Sequence, residues 1–302
     1  MRIHHLNCGT MCPPGGRLMD GTSRGLWARL TCHCLLIETD DRGLVLVDTG
    51  FGTRDVRERT RRLARFFLTL NRPRLDPEET ALRQVERLGV AARDVRHVVL
   101  THLDFDHAGG LEDFPEATVH LLAAEREAAS DRRGFIARAR YRPQQWDEVR
   151  DWRRYAVGGG EPWFGFEAVR DREGLPPEIL LVPLAGHTRG HAAVAIRDEG
   201  TGGGGWRLHA GDAYFFRGEM DPNGYRCPPG LRAYQWMMEV DRRARLANQE
   251  RLRALVRGHA GEVRVFCAHD PVEFETWAAA NPAPVAGGTP AAARVSAEAG
   301  AE

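Results

Sequence analysis

The segment Thr101-His102-Leu103-Asp104-Phe105-Asp106-His107-Ala108-Gly109-Gly110 places two histidines and two aspartates within six residues. Imidazole and carboxylate are the ligands that bind Zn²⁺, Fe and Mn²⁺, and a turn leaving a strand aims several of them at one point. A solvated acidic loop is the plain alternative for this segment alone. Three further segments carry the same chemistry: Gly186-His187-Thr188-Arg189-Gly190-His191, Gly211-Asp212-Ala213 and Ala268-His269-Asp270. Each follows a run that reads as a strand. One polar residue at a strand end is ordinary, whereas four strand ends each offering His or Asp are what a convergent metal site requires. Other chemistries drop out. The chain has no lysine, which excludes Schiff-base and P-loop chemistry, and no G-x-S-x-G to supply a serine triad.

The elements that must deliver these residues alternate between strand and helix. Leu35–Glu38 and Leu44–Val47, around the turn Asp40-Asp41-Arg42-Gly43, form an expected hairpin. Strands are expected at Val98–Leu100, Thr118–Leu122, Ile179–Val182 and Ala192–Ile196. After a turn at Gly202–Gly205 come Trp206–Ala210 and a last strand, Val263–Cys267. Val56, Leu63, Phe66, Phe67 and Leu70 predict an amphipathic helix over Thr53–Leu70 whose arginines face water. Asp76-Pro77-Glu78-Glu79 starts another helix, which Gly89 stops, and Arg242–Val256 forms a third. Residues 123–178, with Tyr141, Trp146, Trp152, Tyr155, Trp163, Phe164 and Phe166, read as a helical insertion with an aromatic inner face. That face either caps a pocket or fills the insertion's own small core. Residues 282–302 are a Pro, Ala and Gly-rich tail with little to bury.

Composition narrows the partners. The 302 residues hold 42 Lys plus Arg against 42 Asp plus Glu, so the broad attraction that nucleic acids and anionic membranes exert is missing. No apolar run approaches the ~18 residues of a membrane span. A small-molecule substrate is the expected partner, and the oligomeric state is not legible. Six cysteines without a secretory segment do not read as a disulfide framework, so the expected compartment is the cytoplasm. Cys8, Cys12, Cys32 and Cys34 could form a four-thiolate zinc site, but buried unpaired thiols are the better reading.

The order D-T-G, H-x-D-x-D-H, G-H-T-x-G-H, G-D-A and A-H-D resembles the metallo-β-lactamase-fold hydrolases over residues 1–281, most of all the N-acyl-homoserine-lactone lactonase branch. The resemblance implies an α/β, four-layer αββα fold with two metal ions between the sheet edges. His102, His187 and the residue at position 104 would hold the first ion. Asp106, His107 and His269 would hold the second, and Asp212 would bridge. Asp48 would orient the ligand loop, with His191 in a similar supporting part. Asp104 departs from the family's usual His; a carboxylate there hardens the site and moves preference from Zn²⁺ toward Fe or Mn²⁺. A lactonase Tyr stands three positions after the bridging Asp, where this chain has Phe215. Tyr214 is the neighbouring candidate, although adjacent strand residues face opposite ways.

The expected activity is hydrolysis of an ester, lactone or thioester by metal-bound hydroxide, with two divalent ions, most often Zn²⁺, and with Asp106 or Asp212 passing the proton. The alternatives are a phosphodiesterase or nuclease of the same fold, and a non-hydrolytic iron-binding redox or sensor protein.

Overall fold

A computed structural model describes residues 1–39, 42–171, 174–198 and 205–282. The expected turn residues Asp40, Asp41 and Gly202–Gly204 and all but the first residue of the 282–302 tail lie outside the described residues. The strands are β1 (Arg2–Met11), β2 (Leu30–Glu38), β3 (Leu44–Val47), β4 (Val95–Val99), β5 (Thr118–Leu122) and β6 (Trp152–Tyr155). They are followed by β7 (Glu161–Trp163), β8 (Phe166–Arg170), β9 (Ile179–Pro183), β10 (Ala192–Asp198), β11 (Gly205–His209) and β12 (Val263–Phe266). The first six form one sheet in chain order, and the other six form a second sheet in the order β12-β11-β10-β9-β8-β7. In the first sheet β1, β2 and β3 pair antiparallel and β3 to β6 parallel. In the second, only β11 and β12 pair parallel.

Both faces of each sheet are covered, which is why β2 and β10 read as nearly continuous apolar runs. Leu35, Ile37, Val45, Val47 and Val99 of the first sheet pack with Ile179, Leu181, Val194, Ile196 and Phe266 of the second in one inter-sheet core. Outside the first sheet, Leu36, Leu46, Val98 and Val119 pack on Val85 and Ala128, which lie on the helices Ala81–Arg87 and Ala123–Asp131. Outside the second, Leu180, Val182 and Leu208 meet Leu252 and Leu255 of the helix Arg242–Gly258. These are the four layers of an αββα fold.

Two expectations change. The Thr53–Leu70 helix is three short pieces, Thr53–Arg57, Arg59–Arg62 and Arg65–Asn71. Its arginines do not all face water: Arg62 is buried, 2.8 Å from Asp55 and 3.0 Å from Glu112. Among the described residues the segment 123–178 is helical at Ala123–Asp131, Phe135–Arg140 and a 3₁₀ turn at Pro143–Gln145, and from Trp152 it supplies the edge strands β6 and β7 and the strand β8 beside β7. Its rings are shared out accordingly, Tyr141 and Trp146 going to the first outer core and Trp163 and Phe166 to the second. A β-edge residue and a helix-face residue can both be aromatic among charges, so composition alone did not separate them.

No helix among the described residues is long and apolar enough to cross a membrane.

Candidate metal centre

The four chemistry-bearing segments follow the carboxyl ends of β4, β9, β11 and β12, and their side chains converge. His102, Asp104, His187 and Asp212 each offer a ligand atom within 4.8 Å of the others; His107, Asp212 and His269 do the same. In the first group His187 Nε2 lies 3.0 Å from Asp104 Oδ2 and 3.3 Å from Asp212 Oδ2. His102 Nε2 lies 3.5 and 3.7 Å from the same two oxygens. In the second, Asp212 Oδ1 is 3.3 Å from His107 Nε2 and 3.0 Å from His269 Nε2, and Asp106 Oδ2 is 3.7 Å from His269 Nε2. Donors placed tetrahedrally at 2.0–2.1 Å around a zinc ion are about 3.3 Å apart, so both groups have ligand spacing.

The buried His102 Nε2, His107 Nε2, Asp104 Oδ1 and Asp212 Oδ1 have no hydrogen-bond partner. Orphaned polar atoms this deep cost free energy unless something pairs with them. The donor set fits divalent transition-metal ions.

The surroundings aim the imidazoles. Asp48 accepts from the Thr101 amide, Thr101 Oγ1 and His107 Nδ1, each at 2.8 Å. Because the Thr101 hydroxyl proton goes to Asp48, His102 Nδ1 is the donor in its 2.9 Å contact with Thr101 Oγ1. His269 Nδ1 donates to the Thr31 carbonyl at 2.6 Å. In the neutral form of all three rings, the form a metal requires, Nε2 has its lone pair toward the centre. His191 Nε2 accepts from the Asp212 amide at 2.9 Å.

The backbone explains the D-T-G and G-D-A glycines. Gly50 has φ 61°, and a Cβ there would fall 2.1 Å from the Cys8 carbonyl oxygen; Gly211 has φ 52°, and a Cβ would meet His191 Nε2 at 2.6 Å. Only glycine takes those turns without displacement.

Burial, followed by the nearby His107, lowers the pKa of His102 to about 4, which keeps that ring neutral. Burial also opposes charge on Asp104, but the Arg140 guanidinium and His102 outweigh it and hold the carboxyl well below its usual range. For Asp106 burial prevails and raises the carboxyl, against His107 and His269.

All seven expected ligand residues therefore meet. Tyr214 does not join them. Its buried hydroxyl donates to Glu273 at 3.0 Å on the far side of the chain, whereas Phe215 packs against His269 and His187 with ring centroids 4.8 and 5.7 Å away. The turn that follows β11 sends the two neighbouring rings different ways, and the catalytic expectation for Tyr214 is corrected. The four-thiolate site is absent too: among the described residues no ligand group contains two cysteines, and Cys32 stands with Asp106 and His269.

Three contributors have no motif in the sequence. Glu125 accepts from the Leu103 amide, Thr188 Oγ1 and the Gly190 amide, tying the first ligand loop to the second. Tyr234, half-buried, sits 5.9 Å from the Phe215 ring and accepts from Asn71 Nδ2 through its hydroxyl at 3.0 Å. Arg140, fully buried, reaches Asp104 and His187. Arg140 also forms part of the wall of a cavity of about 240 Å³ with Ile136, Met237, Met238 and Val240.

A double-layered fold with two convergent His and Asp groups at its strand ends defines a metallo-hydrolase. Residues 27–259 match the metallo-β-lactamase superfamily, and the chain belongs to it. A "probable metallo-hydrolase" of Mycobacterium tuberculosis is 43% identical over 271 residues, 90% of this chain and 81% of that protein. An N-acyl homoserine lactonase of Bacillus cereus is 25% identical over 196 residues, 63% of this chain and 70% of that one. Among solved structures, an N-acyl homoserine lactone hydrolase with the product N-hexanoyl-L-homoserine at its catalytic metal centre superposes with a TM-score of 0.66. It is 20% identical and covers 91% of this chain and 95% of its own.

Proposed function

We propose that this protein is a two-metal hydrolase that opens an ester, lactone or thioester bond of a small, partly apolar substrate. The observation that carries the reading is Asp212, whose Oδ2 faces one donor group and whose Oδ1 faces the other. In this reading His102, Asp104 and His187 would hold one ion and Asp106, His107 and His269 the other, with Asp212 shared between them. Such a pair of ions supplies a water ionised near neutral pH and a Lewis acid for the substrate carbonyl. The chain's own residues do the rest. Asp106 or Asp212 takes the proton of the attacking water and returns it to the leaving oxygen or sulfur. Tyr234, rather than Tyr214, offers a phenolic hydroxyl on the substrate side of Phe215. Ile136, Met237 and Met238 give apolar wall to the acyl part.

Support for a lactone comes from the solved relative that holds a ring-opened lactone product at its metal centre. Zn²⁺ is the metal we assign, with Fe and Mn²⁺ as competitors at Asp104. A cytoplasmic setting belongs to the same reading, consistent with six free thiols.

Elemental analysis combined with a turnover screen tests the proposal. Purified or reconstituted protein should carry close to two ions per chain and should hydrolyse lactones or thioesters in preference to phosphodiesters. Less than half an ion per chain after reconstitution with Zn²⁺, Mn²⁺ and Fe²⁺ would refute the two-metal reading; faster phosphodiester turnover would refute the substrate class.

A further inference from the structure

Arg140 is the last residue of the helix Phe135–Arg140, outside every motif, yet its side chain ends in the first donor group. Nη2 lies 3.0 Å from Asp104 Oδ2 and 3.1 Å from His187 Nε2, and Nη1 donates to the His187 carbonyl at 3.0 Å. The residue is 1% exposed. A guanidinium keeps its proton at any working pH, and a buried cation requires an acid beside it. Glu125, the other buried acid nearby, spends its oxygens on Leu103, Thr188 and Gly190. Asp104 is the group that Arg140 contacts.

The charges then compare simply. An imidazole at position 104 would bring no charge to the first group. Asp104 brings −1 and Arg140 brings +1, and together they again bring none. An unaccompanied carboxylate would make the centre one unit more negative than a histidine does, and an unaccompanied guanidinium would stand a few ångströms from a dication. At that range the repulsion is substantial even at an effective dielectric near 20.

We propose that Asp104 and Arg140 form one charge-neutral unit that replaces a histidine ligand, with Asp104 as the donor to the first ion and Arg140 as its positioning and compensating partner. The unit rests on the two-metal reading and adds two statements to it. The charge of the carboxylate is balanced, so a preference for Fe or Mn²⁺ at this position rests on its oxygen donor and not on added negative charge. Either member becomes harmful to the first site without the other. Arg140 also holds His187 through its carbonyl, so it links the two ligand loops through the helix that delivers it.

The test is a rescue experiment on full-length protein, read by metal stoichiometry, by chelator competition for Zn²⁺, and by the visible spectrum of the Co²⁺ form. In D104H an uncompensated guanidinium faces the first site. That variant should keep one tightly held ion and bind the other at least tenfold more weakly than wild type, about 1.4 kcal/mol. D104H/R140M, neutral again at both positions, should regain the first ion to within about threefold of wild-type affinity. If the imidazole prevents folding, D104N and D104N/R140M repeat the comparison with a side chain of aspartate's shape, the double variant again binding the first ion more tightly than the single. A D104H protein that holds two ions as tightly as wild type, or a double variant no better than its single parent, overturns the unit while leaving the two-metal reading intact. Wild-type protein that takes up a single ion overturns both.

Discussion

The two donor groups share Asp212 and are otherwise built in different ways. In the second each imidazole is aimed by an acceptor on its Nδ1: His107 by the Asp48 carboxylate, and His269 by the Thr31 carbonyl. The first leans on a buried cation. Asp104 and His187 are both engaged by Arg140, which comes from a helix beyond β5. A histidine donor can be aimed by a neighbouring carbonyl or carboxylate, because only its second ring nitrogen has to be satisfied. A carboxylate donor in the same buried place brings a full charge, and the fold has to provide an opposite one.

The change expected to be largest strikes what the groups have in common. Asp212→Ala should lower kcat by at least about 100-fold and weaken both ions, as measured by steady-state kinetics and metal analysis. Retention of more than about a tenth of wild-type kcat would mean that the groups do not depend on a shared carboxylate. Asp48→Asn should separate them. Metal affinity at the second group should fall by about 10-fold to 100-fold, with a smaller change at the first, where Asp48 acts only through Thr101 and His102. Equal losses at both would show that Asp48 supports the whole centre.

The smallest effects distinguish the two tyrosines. Tyr234→Phe should cost about tenfold in kcat if its hydroxyl meets the reacting oxygen. Tyr214→Phe should leave kcat within about twofold and reduce stability by about 1 kcal/mol, the worth of one hydrogen bond. The partner of Tyr214 adds a pH signature. Burial, with Asp270 nearby, raises the Glu273 carboxyl from 4.5 to about 8. The folded state therefore favours the protonated acid, and that contribution is complete below about 4.5 and disappears as pH rises toward 8. Melting temperatures of wild type should fall across that window by more than those of Glu273→Gln; parallel curves would remove Glu273 from the account.

Much of this protein is local and was legible as such. β5 runs Thr118–Leu122 as the β-branched and apolar pattern indicates, and the strand ends preceding His102, His187, Asp212 and His269 lie where hydrophobic runs stop. Gly50 and Gly211 belong to turns that no other residue fits. The seven candidate donors were readable because a metal needs a restricted set of side chains, and these stand in short loops directly after apolar runs. The three-part break of the Thr53–Leu70 helix was less legible, since periodicity reports a face and not the continuity of an axis.

What the sequence by itself determined was the strand ends and the His and Asp side chains that follow them, because both are read from residue type and a period of two or 3.6, whereas the αββα class came from the resemblance of the ordered motifs to a known fold. Only the tertiary structure decided that residues 152–170 supply the strands that close one end of each sheet, that Phe215 and not Tyr214 faces the centre, and that Glu125 and Arg140 bind its loops together. Those outcomes depend on which segments become neighbours across the fold. A buried arginine 36 positions from its aspartate leaves no periodic trace in the chain, since the charge it answers is brought to it only when the β4 loop and the helix Phe135–Arg140 pack.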